Sequence, residues 1–160
     1  MSKPLLNQPA PLFNAPVCGG GFAADARLDL TSLLGRPVVL YFYPKDDTPG
    51  CTRQACGLRD AWDKLRRKAH VLGISPDPVR RHAKFISKYE LPFALVADED
   101  HAIATAYGVW VEKSLYGRKY MGVERSTFIL DAEGRLQAIL EKVKPDEHLE
   151  LVLQALRSME

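Results

Sequence analysis

The chain has 160 residues, 46% hydrophobic and 26% charged, a composition that suits one packed domain and excludes a disordered or low-complexity polymer. Twenty-two basic against twenty acidic residues leave a formal charge of +2, which argues against a nucleic-acid binder working through a basic face. No apolar stretch approaches the ~20 residues that span a bilayer, and the N-terminus lacks the apolar run of a signal peptide, so the expectation is a soluble, cytoplasmic protein without a membrane partner.

In chain order, Leu12–Val17 and Leu28–Leu30 read as short strands separated by the tri-glycine Gly19–Gly21, and Thr31 or Ser32 is placed to cap a single helical turn ending at Gly35. Val38–Tyr43 has no polar alternation and fits a central strand covered on both faces. Pro44 stops it. A helix is expected from about Cys51 to Ala69, with Leu58, Ala61, Trp62, Leu65 and Ala69 on its apolar face. Val71–Ser75 is a second buried strand. Asp77-Pro78 then opens a helix whose core face reads Val79, Ala83, Ile86 and Tyr89. Ala94–Ala97 makes a third strand, and His101–Tyr107 a short helix closed by Gly108. Ser126–Leu130 and Leu136–Val143 flank the hairpin signal Asp131-Ala132-Glu133-Gly134. A last helix runs from about Pro145, with Leu149, Val152, Leu153 and Leu156 inward. Strands alternating with helices imply parallel crossovers, and the late hairpin adds antiparallel strands. The fold class is α/β: a mixed central sheet flanked by helices, in one domain over residues 1–160.

The chemistry gathers between the central strand and its helix, where α/β sheets tend to place their sites. A cysteine opening a helix faces unpaired N–H groups and the positive end of the helix dipole, both of which favour a thiolate. Cys51 is so placed, although an inert buried thiol is the common alternative. Cys56 follows five positions later. On one continuous helix the two Cα atoms are about 8–9 Å apart, beyond the ~4.4–6.8 Å a disulfide spans, so the pair bridges only if the first turns unwind. Gly50 and Gly57 bracket that segment and weaken it. A metal site built from Cys51, Cys56 and any of His70, His82, His101 or His148 matches no common zinc spacing, and the C-x-x-C motif of disulfide reductases is absent.

These residues resemble the peroxiredoxins, specifically the bacterioferritin comigratory protein or Q-type subfamily. The likeness runs through Tyr41-Phe42-Tyr43-Pro44-Lys45, Thr48-Pro49-Gly50-Cys51-Thr52 and Gln54-Ala55-Cys56-Gly57-Leu58-Arg59-Asp60. It continues in Gly108-Val109-Trp110, Glu112-Lys113-Ser114 and Arg125-Ser126-Thr127-Phe128-Ile129. The resemblance implies a thioredoxin-like fold and a thiol peroxidase acting on hydrogen peroxide and organic hydroperoxides without metal or organic cofactor. It implies Cys51 as the peroxidatic and Cys56 as the resolving cysteine of an intramolecular cycle, recycled by thioredoxin. Thr48 and Arg125 would complete the peroxide pocket, with Pro44, Gly50 and Trp110 lining it. A monomer is the expected state. Two features stand apart: the pair Asp46-Asp47 should oppose a thiolate if both carboxylates turn inward, and Cys18 matches no part of the pattern and is read as a free or packed thiol. The four histidines read as surface or packing residues. A thiol–disulfide exchanger and a thioredoxin-fold holdase or binding module are the rival functions, and the first of these has no need of Thr48 and Arg125.

Overall fold

The computed structural model describes residues 3–160. Its elements are β1 (Asn14–Cys18), β2 (Arg27–Asp29), β3 (Val38–Phe42), α1 (Pro49–Asp60), α2 (Trp62–Leu65), β4 (His70–Ser75) and α3 (Val79–Tyr89). There follow β5 (Ala94–Ala97), α4 (Ala102–Ala106), β6 (Trp110–Leu115), β7 (Arg118–Val123), β8 (Thr127–Leu130), β9 (Leu136–Leu140) and α5 (His148–Ser158). Seven strands form one sheet in the order β2-β1-β5-β4-β3-β8-β9. β3–β4 and β4–β5 are parallel, and the remaining neighbours are antiparallel, which is the mixed sheet expected.

The unalternated sequence of β3 follows from its position. Val38, Leu40 and Phe42 enter one core with α4, while Val39 and Tyr41, with Tyr43 beyond the strand, enter a second core beneath α1, α3 and α5. A strand covered on both faces has no solvent side to carry polar residues. The late hairpin turns at Asp131, whose Oδ1 accepts N–H groups of Glu133 and Arg135, and Gly134 supplies the positive φ of +83°.

Four details differ from the sequence expectation. The helix expected over 51–69 breaks at Ala61 (φ −102°, ψ 14°), and the turn lets Trp62 pack on Phe93 and Leu65 bury completely. On α3, Ile86 and Tyr89 pack against the core as expected, but the most deeply buried residues are His82 and Phe85, and Ala83 is exposed. Both ring nitrogens of His82 find partners, which lets it bury and widens the inward face by one residue. The turn Leu30–Leu33 is capped by the Asp29 carboxylate, which accepts from the Thr31 N–H, rather than by Thr31 or Ser32. Finally, β6 and β7 form a separate two-stranded sheet that was not anticipated. Its turn, Tyr116-Gly117, has φ values of +52° and +78°, the form usually marked by Asn-Gly or Asp-Gly.

Candidate active site

β3 delivers the chain to Tyr43 and Pro44, and the loop through Thr48 feeds α1, whose first residue is Pro49. Proline there sacrifices no hydrogen bond, because first-turn N–H groups have no helical acceptor. Cys51 stands in that same turn, 1% exposed and unbridged. Arg125, between β7 and β8, comes over it: Nη2 donates toward Cys51 Sγ at 3.4 Å, and Nη1 donates to Gln54 Oε1 at 2.6 Å. Gln54 lies three residues past Cys51 on the same side of α1 and is itself buried, so a single guanidinium fork is aimed by one neighbour and faces the other. Gly50 makes room for this arrangement. A Cβ at that position would lie 3.4 Å from Arg125 Nη2 and 3.3 Å from Pro145 Cγ.

Thr48 is the residue just before α1. Its hydroxyl donates to the Lys45 carbonyl at 2.9 Å, which leaves the oxygen lone pairs available to accept. Pro44 is half-buried at the head of the same loop. Cys56 lies farther along the unbroken α1, half-buried, with its thiol free. Trp110 stacks flat on His101, with ring centroids 3.8 Å apart, and packs against the core that holds α4. Its neighbour Val111 instead lines a groove of about 530 Å³ that opens onto Arg125, together with Lys113, Glu124, Lys142 and Val143. Burial pushes the Lys113 amine down, the Arg125 charge lowers it further, and Cys51 and Glu124 act the other way.

The two acids of the loop part company. Asp47 turns outward to Lys88 Nζ (2.8 Å) and the Tyr89 hydroxyl (2.9 Å), contacts that hold its carboxyl below the usual range. Asp46 alone turns inward, and there it meets His82 Nδ1 at 2.6 Å and the Tyr43 hydroxyl at 2.5 Å. Asp77 completes a group within 4.8 Å of one another, all of it buried. Cys18 is half-buried and unbridged, its thiol pushed up by burial and then by Asp46. Under the site, His148 is 0% exposed, bonded through Nε2 to Thr127 Oγ1 at 2.8 Å, with Nδ1 unpartnered among the described residues. Burial, followed by the Arg125 charge, lowers its pKa to about 3.

Sequence reasoning missed Gln54, His82, His148 and Lys113. The i, i+3 spacing from Cys51 was the available signal for Gln54. His82 and His148 carried none, since a histidine at a helical position looks the same whether it is inside or outside. Lys113 depends on a hairpin that the pattern did not reveal.

The chain matches the family model described as AhpC/TSA over residues 6–139. The peroxiredoxin Bcp of Bacillus subtilis is 47% identical over 131 residues, covering 81% of this chain and 83% of that protein. The peroxiredoxin Bcp of Escherichia coli K12 is 42% identical over 149 residues, covering 92% of each. Among solved structures, the bacterioferritin comigratory protein of Xanthomonas campestris, studied for alkyl peroxide reduction, superposes with a TM-score of 0.84. It is 34% identical and covers 92% of this chain and 91% of its own.

Proposed function

Because the chain belongs to the AhpC/TSA family and is a thioredoxin-fold peroxiredoxin, a thiol peroxidase, we propose that Cys51 is its peroxidatic cysteine and Cys56 its resolving cysteine. The observation that carries this reading is Arg125 Nη2 set 3.4 Å from a cysteine sulfur in the first turn of a helix. A thiol–disulfide exchanger has no use for that guanidinium, whereas peroxide reduction does.

In the first step the Cys51 sulfur attacks one peroxide oxygen. The S–O bond forms as the O–O bond breaks, sulfur is oxidised to sulfenic acid, and the other oxygen departs as hydroxide or alkoxide and takes up a proton. Negative charge thus moves from sulfur to the departing oxygen. Arg125 already faces the Cys51 sulfur, and the free N–H groups of a helix first turn favour negative charge at that end, so their stabilisation grows as the charge moves. The Thr48 hydroxyl, whose own hydrogen goes to the Lys45 carbonyl, accepts a hydrogen bond from the peroxide. Pro44 and Gly50 shape the approach, and Trp110 supports the hairpin behind Val111.

In the second step the Cys56 thiol attacks the sulfenic sulfur, an S–S bond forms and water leaves. α1 must unwind for this, since an intact helix holds the two Cα atoms about 8–9 Å apart. An external dithiol, thioredoxin in our reading, then reduces the disulfide by exchange. The chain acts as one domain and a monomer in the cytoplasm, and no helix among the described residues is long and apolar enough to cross a membrane. Peroxide-dependent NADPH oxidation coupled through thioredoxin reductase and thioredoxin tests the proposal. Turnover is expected for the wild type, none for Cys51→Ser, and loss of thioredoxin-linked recycling for Cys56→Ser. Turnover that survives Cys51→Ser overturns it.

A further inference from the structure

We propose that Asp46 and His82 form a positioning pair that sets the loop carrying Thr48 and Cys51 for the first chemical step, although neither touches the peroxide. The inference rests on Cys51 being the attacking sulfur.

The pair lies in the interior. The side chains of His82 and Asp46 are 0% and 1% exposed, and their contact is 2.6 Å long. Three elements converge on residue 46. The Tyr43 hydroxyl, at the end of β3, donates to its Oδ1, and His82 of α3 meets its Oδ2. Its backbone N–H donates to Asp77 Oδ2 at 2.7 Å, just beyond β4. Asp77 is in turn fixed by the Ser75 hydroxyl at 2.7 Å and by Arg81 Nε at 3.2 Å. The far side of the imidazole is anchored too, with Nε2 3.0 Å from the Val96 carbonyl of β5.

Hydrogen counting gives this network its character. The Val96 carbonyl can only accept, so Nε2 carries a hydrogen. The Nδ1–Oδ2 contact then needs one further hydrogen, whichever atom holds it. Asp46 and His82 together are therefore electrically neutral, and the inward carboxylate brings no unbalanced negative charge toward Cys51. The concern raised by an acidic pair in this loop is answered by a histidine thirty-six residues away.

From this anchor the chain has little freedom before the reacting groups. Asp47 takes a left-handed φ of +59° with its side chain tied outward to Lys88 and Tyr89, Thr48 follows, and α1 begins at Pro49. Displacement of a reacting group by about 1 Å is enough to cost about a hundredfold in rate. A buried network that pins residue 46 from three directions is placed to prevent such a shift. The metal-like grouping of Asp46, Asp77 and His82 is better explained this way, since its oxygens and nitrogens already face one another, Tyr43, Ser75, Arg81 and a carbonyl.

Rapid mixing with hydrogen peroxide separates sulfenylation, which is second order, from disulfide formation, which is first order. Rates are taken per titratable Cys51 in protein shown to be folded by circular dichroism. His82→Leu is expected to slow sulfenylation by about tenfold or more while disulfide formation changes less than about twofold. Asp46→Asn keeps the shape, accepts from Tyr43 and can donate to a neutral imidazole, so it is expected to stay within about threefold of the wild type. Tyr43→Phe preserves the bulk and removes one anchor, and serves if His82→Leu fails to fold; it should slow sulfenylation by about threefold or more with the same split. A folded His82→Leu or Tyr43→Phe that sulfenylates at the wild-type rate, or one that slows both steps equally, overturns the positioning role. Wild-type protein whose Cys51 is not sulfenylated at all overturns the functional reading, a result distinct from either.

Discussion

Arg125→Met tests the electrostatic core of the site, because it keeps an unbranched side chain of similar reach and removes the charge. In the structure Nη2 faces Cys51 Sγ at 3.4 Å, and Coulomb's law at an effective dielectric of about 20 puts a unit-charge pair at that separation near 5 kcal/mol. That is a ceiling, since only the part of the interaction that strengthens on the way to the transition state affects the rate. A hydrogen bond to a charged group contributes about 1.5–3 kcal/mol net, which at about 1.4 kcal/mol per factor of ten predicts a loss of about 10- to 150-fold. The same change strips the Gln54 side chain of the only partner it has among the described residues. Its Oε1 is held at 2.6 Å by Arg125 and its Nε2 already lacks one, so a buried amide would stand wholly unpaired, at a stability cost of about 1–3 kcal/mol. The assay is the second-order sulfenylation rate by rapid mixing, beside a urea denaturation curve. A folded Arg125→Met protein within about threefold of the wild-type rate would refute the reasoning.

Two further outcomes follow from burial and packing. His148 has a folded-state pKa of about 3 against 6.5 for the free side chain, so the unfolded chain binds more protons between those values. Its contribution is present in full above pH 6.5 and is lost as pH falls toward 3, a difference of order 5 kcal/mol at about 1.4 kcal/mol per pH unit; denaturation midpoints of His148→Gln should be flatter with pH across that window than those of the wild type. Gly73→Ala should destabilise strongly, because a Cβ there would sit 2.7 Å from Leu95 Cδ2 and 2.8 Å from both Tyr41 Cζ and its hydroxyl. Overpacking of about 1–3 kcal/mol is expected in thermal unfolding, and an unchanged midpoint would contradict the contact.

Much of the architecture was legible in the sequence because its central elements have strong one-dimensional signals. Val38–Tyr43 reads as a doubly covered strand, and Asp131–Gly134 as a hairpin, from residue types alone, and both form. The β6–β7 hairpin was not legible, because its turn uses Tyr116 where Asn or Asp would have announced it. Cys51 in the first turn of α1 was visible from the position of Pro49-Gly50 after a buried strand. The contact of Arg125 with Cys51 was not readable from local pattern, since it depends on the connection between β7 and β8, seventy-four residues away, folding over that turn. The acidic loop shows the limit most clearly. Two adjacent aspartates are equivalent on paper, and only the register of α3 decides that Asp46 goes inward to His82 and Asp47 outward to Lys88.

The central claim is that Cys51 reacts and Cys56 resolves within one chain. Peptide mapping by mass spectrometry after one equivalent of peroxide, under non-reducing conditions, tests it most directly. The account predicts a monomer lighter by two hydrogens, with the Cys51 and Cys56 peptides joined and Cys18 unmodified. In Cys56→Ser it predicts one added oxygen on Cys51. A disulfide that includes Cys18, a bridge between chains, or first oxidation at Cys56 would contradict it.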